Sequence, residues 1–366
     1  MDPERAKRKK RKIIAKRLAV FCTVLFSIAV ILFASFQIVR AVGKNTLRRG
    51  KAAIAGAPAL TLQEVTEEEK AAVGWQEGWV KYDDKYYAYN EDILTFLIMG
   101  IDKYENVRAV EQGTNGGQAD ALFLLVLDPG TKEIKIVGIN RNTMTAVDVY
   151  DAAGAYVTTL TAQICIQHGF GNGTEESSAY QVAAVSNLFY RLPIHGYAAI
   201  NMSAIPTLND AVGGVTLTCL EDLTAWDETL TCGSEVHLMG NSAYVYVSRR
   251  DITVYGSADA RLERQKQYLN AYLAQAKERA KGDLSIVTGL YSALNSTMVT
   301  DVTLNEVAYL APVIRDYAFD KDHIYTLKGE TRMGHSEVTG DAFEEFYPDR
   351  DAMYRMILDV FYKEVN

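Results

Sequence analysis

From Leu18 to Val39 the chain runs for 22 residues without a charge, and about 20 apolar residues suffice to carry a helix across a bilayer. Nine Lys and Arg residues stand in the first 17 positions, against Asp2 and Glu4, whereas five follow the stretch between Arg40 and Lys51. This asymmetry predicts a single-pass protein of the cell membrane, with residues 1–17 as a basic cytoplasmic tail, 18–39 as the span and the remainder outside. A cleaved signal peptide ending near Ala41-Val42-Gly43 is the competing reading, but signal h-regions run only ~7–15 residues. The chain as a whole has a formal charge of -8, so the body beyond the basic tail is more acidic still. An acidic body disfavours nucleic acid, whose phosphates are held by clustered Lys and Arg.

Beyond the span, residues 40–78 carry weak periodicity and read as a partly helical stalk, and residues 79–366 read as the folded domain. The segment Trp79 to Asn90 alternates around Asp83-Asp84 and predicts a hairpin. Ile93 to Met99, Ala121 to Leu127 and Ile134 to Ile139 are continuous apolar runs, as expected of strands buried on both faces. Ser178 and Gln181 suggest a capping box at the head of a helix reaching Leu192. Ser203 and Pro206 suggest another, stopping at Gly213-Gly214. Val215 to Leu217 and Ala243 to Val247 read as strands, Ala260 to Lys281 and Ala352 to Tyr362 as helices. Buried strands alternating with helices predict a layered α/β domain.

Four cysteines are present. Cys22 lies in the apolar stretch and Cys165 reads as a core residue. Cys219 and Cys232 flank a polar loop outside the membrane, where an oxidising compartment permits a disulfide. No Cys or His spacing suits zinc.

Charged groups at the ends of buried strands mark the places where open α/β sheets build ligand crevices. Asp102 follows the strand ending at Met99, and Asp120 precedes the one beginning at Ala121. Two such carboxylates suit one hard cation such as Mg²⁺, which takes its other ligands from water and phosphate; they equally suit turn capping. Arg141 follows the third strand, and Arg249, Arg250, Arg261 and Arg264 gather around the last expected strand, Ala243 to Val247, and the helix that follows it. Guanidinium forks in an acidic body need carboxylates or an anionic ligand. Arg261 and Gln265 share a helical face.

In order, FLIMGID, ADALFLLVLDPGTKEIKIVGINRNT, LTAQICIQHGFGNG, AIPTLNDAVGGVTL, GNSAYVYVSRRD and ARLERQKQYL resemble the LytR-CpsA-Psr family. The resemblance implies an α/β/α sandwich with a central mixed sheet, behind a single N-terminal transmembrane helix. It implies a membrane-anchored extracellular phosphotransferase that moves a glycopolymer, of the wall teichoic acid or capsule kind, from a polyprenyl-pyrophosphate carrier to peptidoglycan. Carried over by position, Asp102 and Asp120 fall on the Mg²⁺-associated aspartates. Arg141, Arg250, Arg261, Arg264 and Gln265 fall on the pyrophosphate-binding set, with Arg141, Asp120 and Arg250 catalytic. The helices at 178–192 and 203–212 would wall the groove for the lipid tail.

The chain departs from the family pattern at three places. Gln118 stands where Arg is usual, Asn142 where Asp follows the Arg, and Ser248 in place of the first Arg of the pair. On a strand, Arg249 would point away from Ser248 and Arg250. Two other readings therefore stay open: a pyrophosphatase acting on the same lipid-linked glycan, and a non-catalytic tethered protein that binds it.

Overall fold

The computed structural model describes residues 37–50, 54, 56–60, 63–113, 115–282, 285–335 and 342–365. The basic tail and residues 18–36 of the expected span lie outside the described residues, and among those described no helix is long and apolar enough to cross a membrane. Helix α1 (37–50), expected as the end of the span up to 39 and as stalk from 40, lies against the folded body, with Leu47 buried and Gly43 so close to the Asn305 backbone that a Cβ would collide with it. Helix α2 (Glu67–Val73) is closed by a Thr66–Glu69 capping box and by Gly74 at φ 66°, the conformation that glycine adopts without steric cost.

Strands β1 (Trp79–Tyr82) and β2 (Lys85–Tyr89) form the expected hairpin. Its turn residues Asp83 and Asp84 both have positive φ, as the twist of a two-residue hairpin turn requires. Next come β3 (Leu94–Ile101), β4 (Ala119–Asp128) and β5 (Glu133–Ile139), then a hairpin of β6 (Met144–Tyr150) and β7 (Tyr156–Gln163). A 3-10 stretch, Ile164–Phe170, leads into α3 (Glu175–Leu188) and β8 (Gly196–Asn201). Helix α4 (Ile205–Ala211) and the hairpin of β9 (Val215–Thr218) and β10 (Glu235–Leu238) precede α5 (Asn241–Ser248) and α6 (Ser257–Gly282). The chain finishes with α7 (Ser285–Ala293), β11 (Met298–Thr300), α8 (Leu304–Ile314), β12 (Ile324–Thr326), the hairpin of β13 (Gly329–His335) and β14 (Ala342–Pro348), α9 (Arg350–Phe361) and β15 (Tyr362–Val365).

The central sheet has the order β11-β8-β3-β4-β5-β12. It is mixed: β3 pairs antiparallel with β4 and parallel with β8, and β5 pairs parallel with β12. Alternation sorts its side chains into two cores. Leu97, Met99, Leu122, Leu124 and Val137 meet Val185 of α3, Phe189 just after it, and Ile357 and Phe361 of α9. Phe96, Phe123 and Ile136 meet Leu262 of α6 and Leu310 of α8 on the other face. Burial on both faces explains why these strands read as unbroken apolar runs. The α/β/α layering expected from the sequence is thus present.

Three local expectations are corrected. Residues 243–247 are helical, within α5, not a strand. The run Ala-Tyr-Val-Tyr-Val has strand propensity, but all five residues are buried against β9, β10 and α6, and an apolar segment this short cannot be assigned by periodicity. The Ser178–Gln181 pair is no capping box, because α3 already starts at Glu175; Ser178 Oγ donates to the Thr174 carbonyl, and Gln181 bonds the backbone of Ile164 and His168. Ser203 does not cap α4, whose N-cap is Ala204. Cys219 and Cys232 are free thiols, bonded through sulfur to the Glu221 and Leu220 carbonyls respectively.

Candidate active site

One end of the central strands collects the polar residues. Asp102 follows the end of β3, Asp120 is the second residue of β4, and Arg141 follows β5. The register between β3 and β4 slips there: Gly100 pairs with Ala121, but Ile101 pairs with Ala119. Asp120 is the extra residue of this bulge, and bulges re-aim side chains at sheet rims. Without it, alternation with Leu122 and Leu124 would send the carboxylate toward α3 and α9; it instead meets α6, on the opposite face.

Asp120 joins two arginines. Arg141 Nη1 lies 2.5 Å from Oδ1 and Arg261 Nη1 lies 3.1 Å from Oδ2. The Arg141 contact is an ion pair without a hydrogen bond to Oδ1, and the buried Arg141 Nε also lacks a hydrogen-bond partner. Arg141 Nη2 donates to Gln118 Oε1 and, at 3.0 Å, to the Cys165 sulfur. Gln118 in turn donates its backbone N–H to Asp102 Oδ1 at 2.6 Å. Burial drives the Asp102 pKa upward, and the charge of Asp120 adds to this. Burial brings Arg261 down to about 10, with Arg141 and Arg250 pushing the same way and Asp120 opposing. Arg250 is lowered by burial and by Arg141. Three guanidinium groups therefore feel one another at this end of the sheet, a setting that an anionic ligand relieves.

Arg250 is held by a 2.8 Å bond to Ser257 Oγ, at the start of α6. The loop before α6 is braced by Glu344 of β14, which accepts the Gly256 N–H at 2.7 Å and the Asn142 amide at 3.1 Å. This accounts for Asn at position 142: a carboxylate there would face the Glu344 carboxylate in a buried setting.

Arg264 and Gln265 have other work. Arg264 is fully buried, donating to the carbonyls of Tyr246 and Arg249 and, at 2.5 Å, to Glu221. Gln265 donates to the Val247 carbonyl at 3.0 Å. Together they take up carbonyls at the C-terminal end of α5, which otherwise would be unpaired. Ser248 ends that helix, with Oγ bonded to the Tyr244 carbonyl, and Arg249 is exposed and lies over the Tyr244 ring. The structure thus brings together Asp102, Asp120, Arg141, Arg250 and Arg261, and places Arg264 and Gln265 behind them. Gln118 and Cys165 as partners of Arg141, and Ser257 and Glu344 as supports, carried no motif that marked them in those roles.

A sequence model of the LytR_cpsA_psr family matches residues 59–352. The chain belongs to this family. The matched range starts within the segment expected as stalk, in keeping with the packing of Leu60 into the core. Among curated LytR-CpsA-Psr relatives, the chain is 26% identical over 214 residues to the polyisoprenyl-teichoic acid–peptidoglycan teichoic acid transferase TagU of Bacillus mycoides, covering 58% of this chain. It is 25% identical over 218 residues to TagU of Halalkalibacterium halodurans. It spans 62% and 63% of the lengths of these two relatives. Among solved structures, Bacillus subtilis TagV aligns over 73% of this chain and 94% of its own with a TM-score of 0.55 and 20% identity. TagT bound to LIIa-WTA aligns over 74% and 89% with a TM-score of 0.53 and 17% identity. These likenesses are of fold.

Proposed function

We propose that this chain is a membrane-anchored, extracellular phosphotransferase that moves a glycopolymer from a polyprenyl-pyrophosphate carrier to peptidoglycan. The observation that carries the reading is the pairing of Arg141 and Arg261 with one carboxylate, Asp120, with the buried Arg141 Nε unpartnered and Arg250 near enough to feel the charge of Arg141. Planar guanidinium forks bind phosphate oxygens bidentately, and a diphosphate fills such a cluster better than a neutral ligand does. Family membership and the teichoic acid transferase names of the curated relatives support the same chemistry. The uncharged stretch at 18–39 supports the anchor.

In this reading, Arg141, Arg250 and Arg261 neutralise the pyrophosphate oxygens as charge develops on them. An acceptor sugar hydroxyl attacks the glycan-linked phosphorus, forming the new P–O bond while the bond to the bridging oxygen breaks. Polyprenyl phosphate leaves with the electron pair. Asp102 or Asp120 accepts the hydroxyl proton; Asp102, not held by arginine, is the better placed. Asp102 and Asp120 would also hold Mg²⁺. Asp120 Oδ1 receives no hydrogen bond, although Arg141 Nη1 lies 2.5 Å from it, and two carboxylates suit an ion that completes its shell with water and phosphate. Bound there, it would supply further neutralisation of phosphate charge.

The test incubates the full chain, in detergent or vesicles, with Mg²⁺, a short polyprenyl-pyrophosphate saccharide and peptidoglycan oligomers, with products followed by mass spectrometry. A glycan-phosphate-peptidoglycan adduct is expected. Release of sugar phosphate without adduct would replace transfer by hydrolysis, and tight binding without either product would replace both by carrier binding.

A further inference from the structure

Beside the guanidinium cluster, the loop joining β3 to β4 folds over a cavity of about 210 Å³. It is below the ~300 Å³ at which pockets for drug-sized ligands begin, and is on the scale of one sugar ring. Tyr104, Val107 and Val110 supply apolar surface, while Asn106, Asn115 and Asn201 supply amides. Its charged lining residues balance, Asp102 and Glu105 against Lys103 and Arg108, unlike the cluster next door. A balanced, amide-rich lining with an aromatic ring suits a neutral ligand bearing hydroxyls and C–H faces.

The cavity is preformed. Val107 N–H donates to the Ser296 carbonyl at 2.7 Å, Val110 N–H to Asn172 at 2.9 Å and Gly116 N–H to Gly169 at 3.0 Å. Asn201 Nδ2 donates to the Glu105 carbonyl at 2.6 Å. Gly116 is pressed so close to the 3-10 stretch that a Cβ would come within 2.6 Å of the His168 carbonyl oxygen. The wall residue Asp102 accepts from Gln118 N–H, and Gln118 Oε1 accepts from Arg141. One residue thus separates the cavity from the phosphate-binding arginines.

We propose that this cavity is a saccharide subsite that seats one neutral pyranose ring of the acceptor glycan beside the phosphoryl-transfer centre. The proposal rests on the reading of the arginine cluster given above, yet its test does not need turnover. Val110→Trp fills the cavity and Asn106→Ala removes an exposed amide; neither belongs to the arginine cluster. The full chain in detergent is titrated by calorimetry with a β-1,4-linked N-acetylglucosamine oligosaccharide, and separately with N-acetylglucosamine 1-phosphate.

The expected result is saturable oligosaccharide binding that Val110→Trp weakens about tenfold or more, at unchanged circular dichroism, and that Arg141→Ala leaves intact. The sugar phosphate should lose affinity in Arg141→Ala and keep it in Val110→Trp. Loss of the sugar phosphate, and not of the oligosaccharide, in Val110→Trp would give the cavity to the donor's own sugar and overturn the acceptor assignment. Absence of saturable oligosaccharide binding, or equal affinity in wild type and Val110→Trp, would overturn the subsite. Should Val110→Trp fail to fold, an Asn106→Ala affinity equal to wild type would overturn it as well. A chain that binds the oligosaccharide but transfers nothing would sink the transferase reading while keeping the subsite.

Discussion

Arg141 Nη1 lies 2.5 Å from Asp120 Oδ1, yet the same carboxylate keeps a second cation, Arg261, at 3.1 Å. Removing either arginine therefore leaves Asp120 paired, whereas removing Asp120 strands two buried cations. Arg141→Ala is expected to keep its fold and lose transfer by about 10²-fold or more, the scale of one preorganised charge contact. Asp120→Ala is expected to lose about 3 kcal/mol of stability. Thermal melts beside a transfer assay check both, and full activity in Arg141→Ala would sink its assignment.

Arg264 and Arg261 sit on one helix and should fail in different ways. Arg264→Ala leaves the Tyr246 and Arg249 carbonyls without their donor and opens a void, so its melting temperature should fall by an amount equivalent to about 3 kcal/mol. Arg261→Ala should chiefly lower turnover. If Arg264→Ala melts like wild type, its role at the end of α5 is mistaken.

Burial brings the His168 pKa down to about 4 from the ordinary 6.5, while its Nδ1–H donates to the Gly117 carbonyl at 3.0 Å. The unfolded chain takes up a proton below 6.5 that the folded chain refuses until about 4. The stabilisation is therefore whole above the upper value and is lost as pH falls toward the lower one, by roughly 3 kcal/mol. His168→Asn, which keeps a donor, should flatten this window relative to wild type in denaturant unfolding followed across pH. An unchanged pH profile would contradict a neutral, buried His168.

Thiol reactivity should follow exposure. Cys232 is exposed, whereas Cys165 and Cys219 are buried, and burial raises both of their thiol pKa values. Since the thiolate is the reactive form, brief iodoacetamide treatment of the folded, reduced chain should label Cys232 well before Cys219. Peptide mass mapping reads the order directly, and equal rates would place Cys219 nearer the surface than the structure has it.

Much of the fold was legible in the sequence because its signals are local. Continuous apolar runs marked β3, β4 and β5, since strands covered on both faces admit few polar residues, and Gly213-Gly214 marked the end of α4 through their positive φ. The Asp83-Asp84 hairpin was legible for the same reason. Residues 243–247 were misread because burial around the whole segment let helix and strand compete on equal terms, and α5 won through its packing on β9, β10 and α6.

Of the candidate site, motif order and position at strand ends marked Asp102, Asp120, Arg141, Arg250 and Arg261, but marked Arg264 and Gln265 as well, which bond the carbonyls of α5 instead. How they meet came from packing between segments. The bulge opposite Gly100 turned Asp120 toward α6, where Arg261 meets it, and Arg264 was drawn off to the carbonyls of α5. Those outcomes depend on contacts between separate segments, 15 and 18 residues apart for Arg264 with the Arg249 and Tyr246 carbonyls and 141 apart for Asp120 with Arg261. A chain read one window at a time carries its propensities, but the direction of a side chain at a sheet's rim is set by what packs against it.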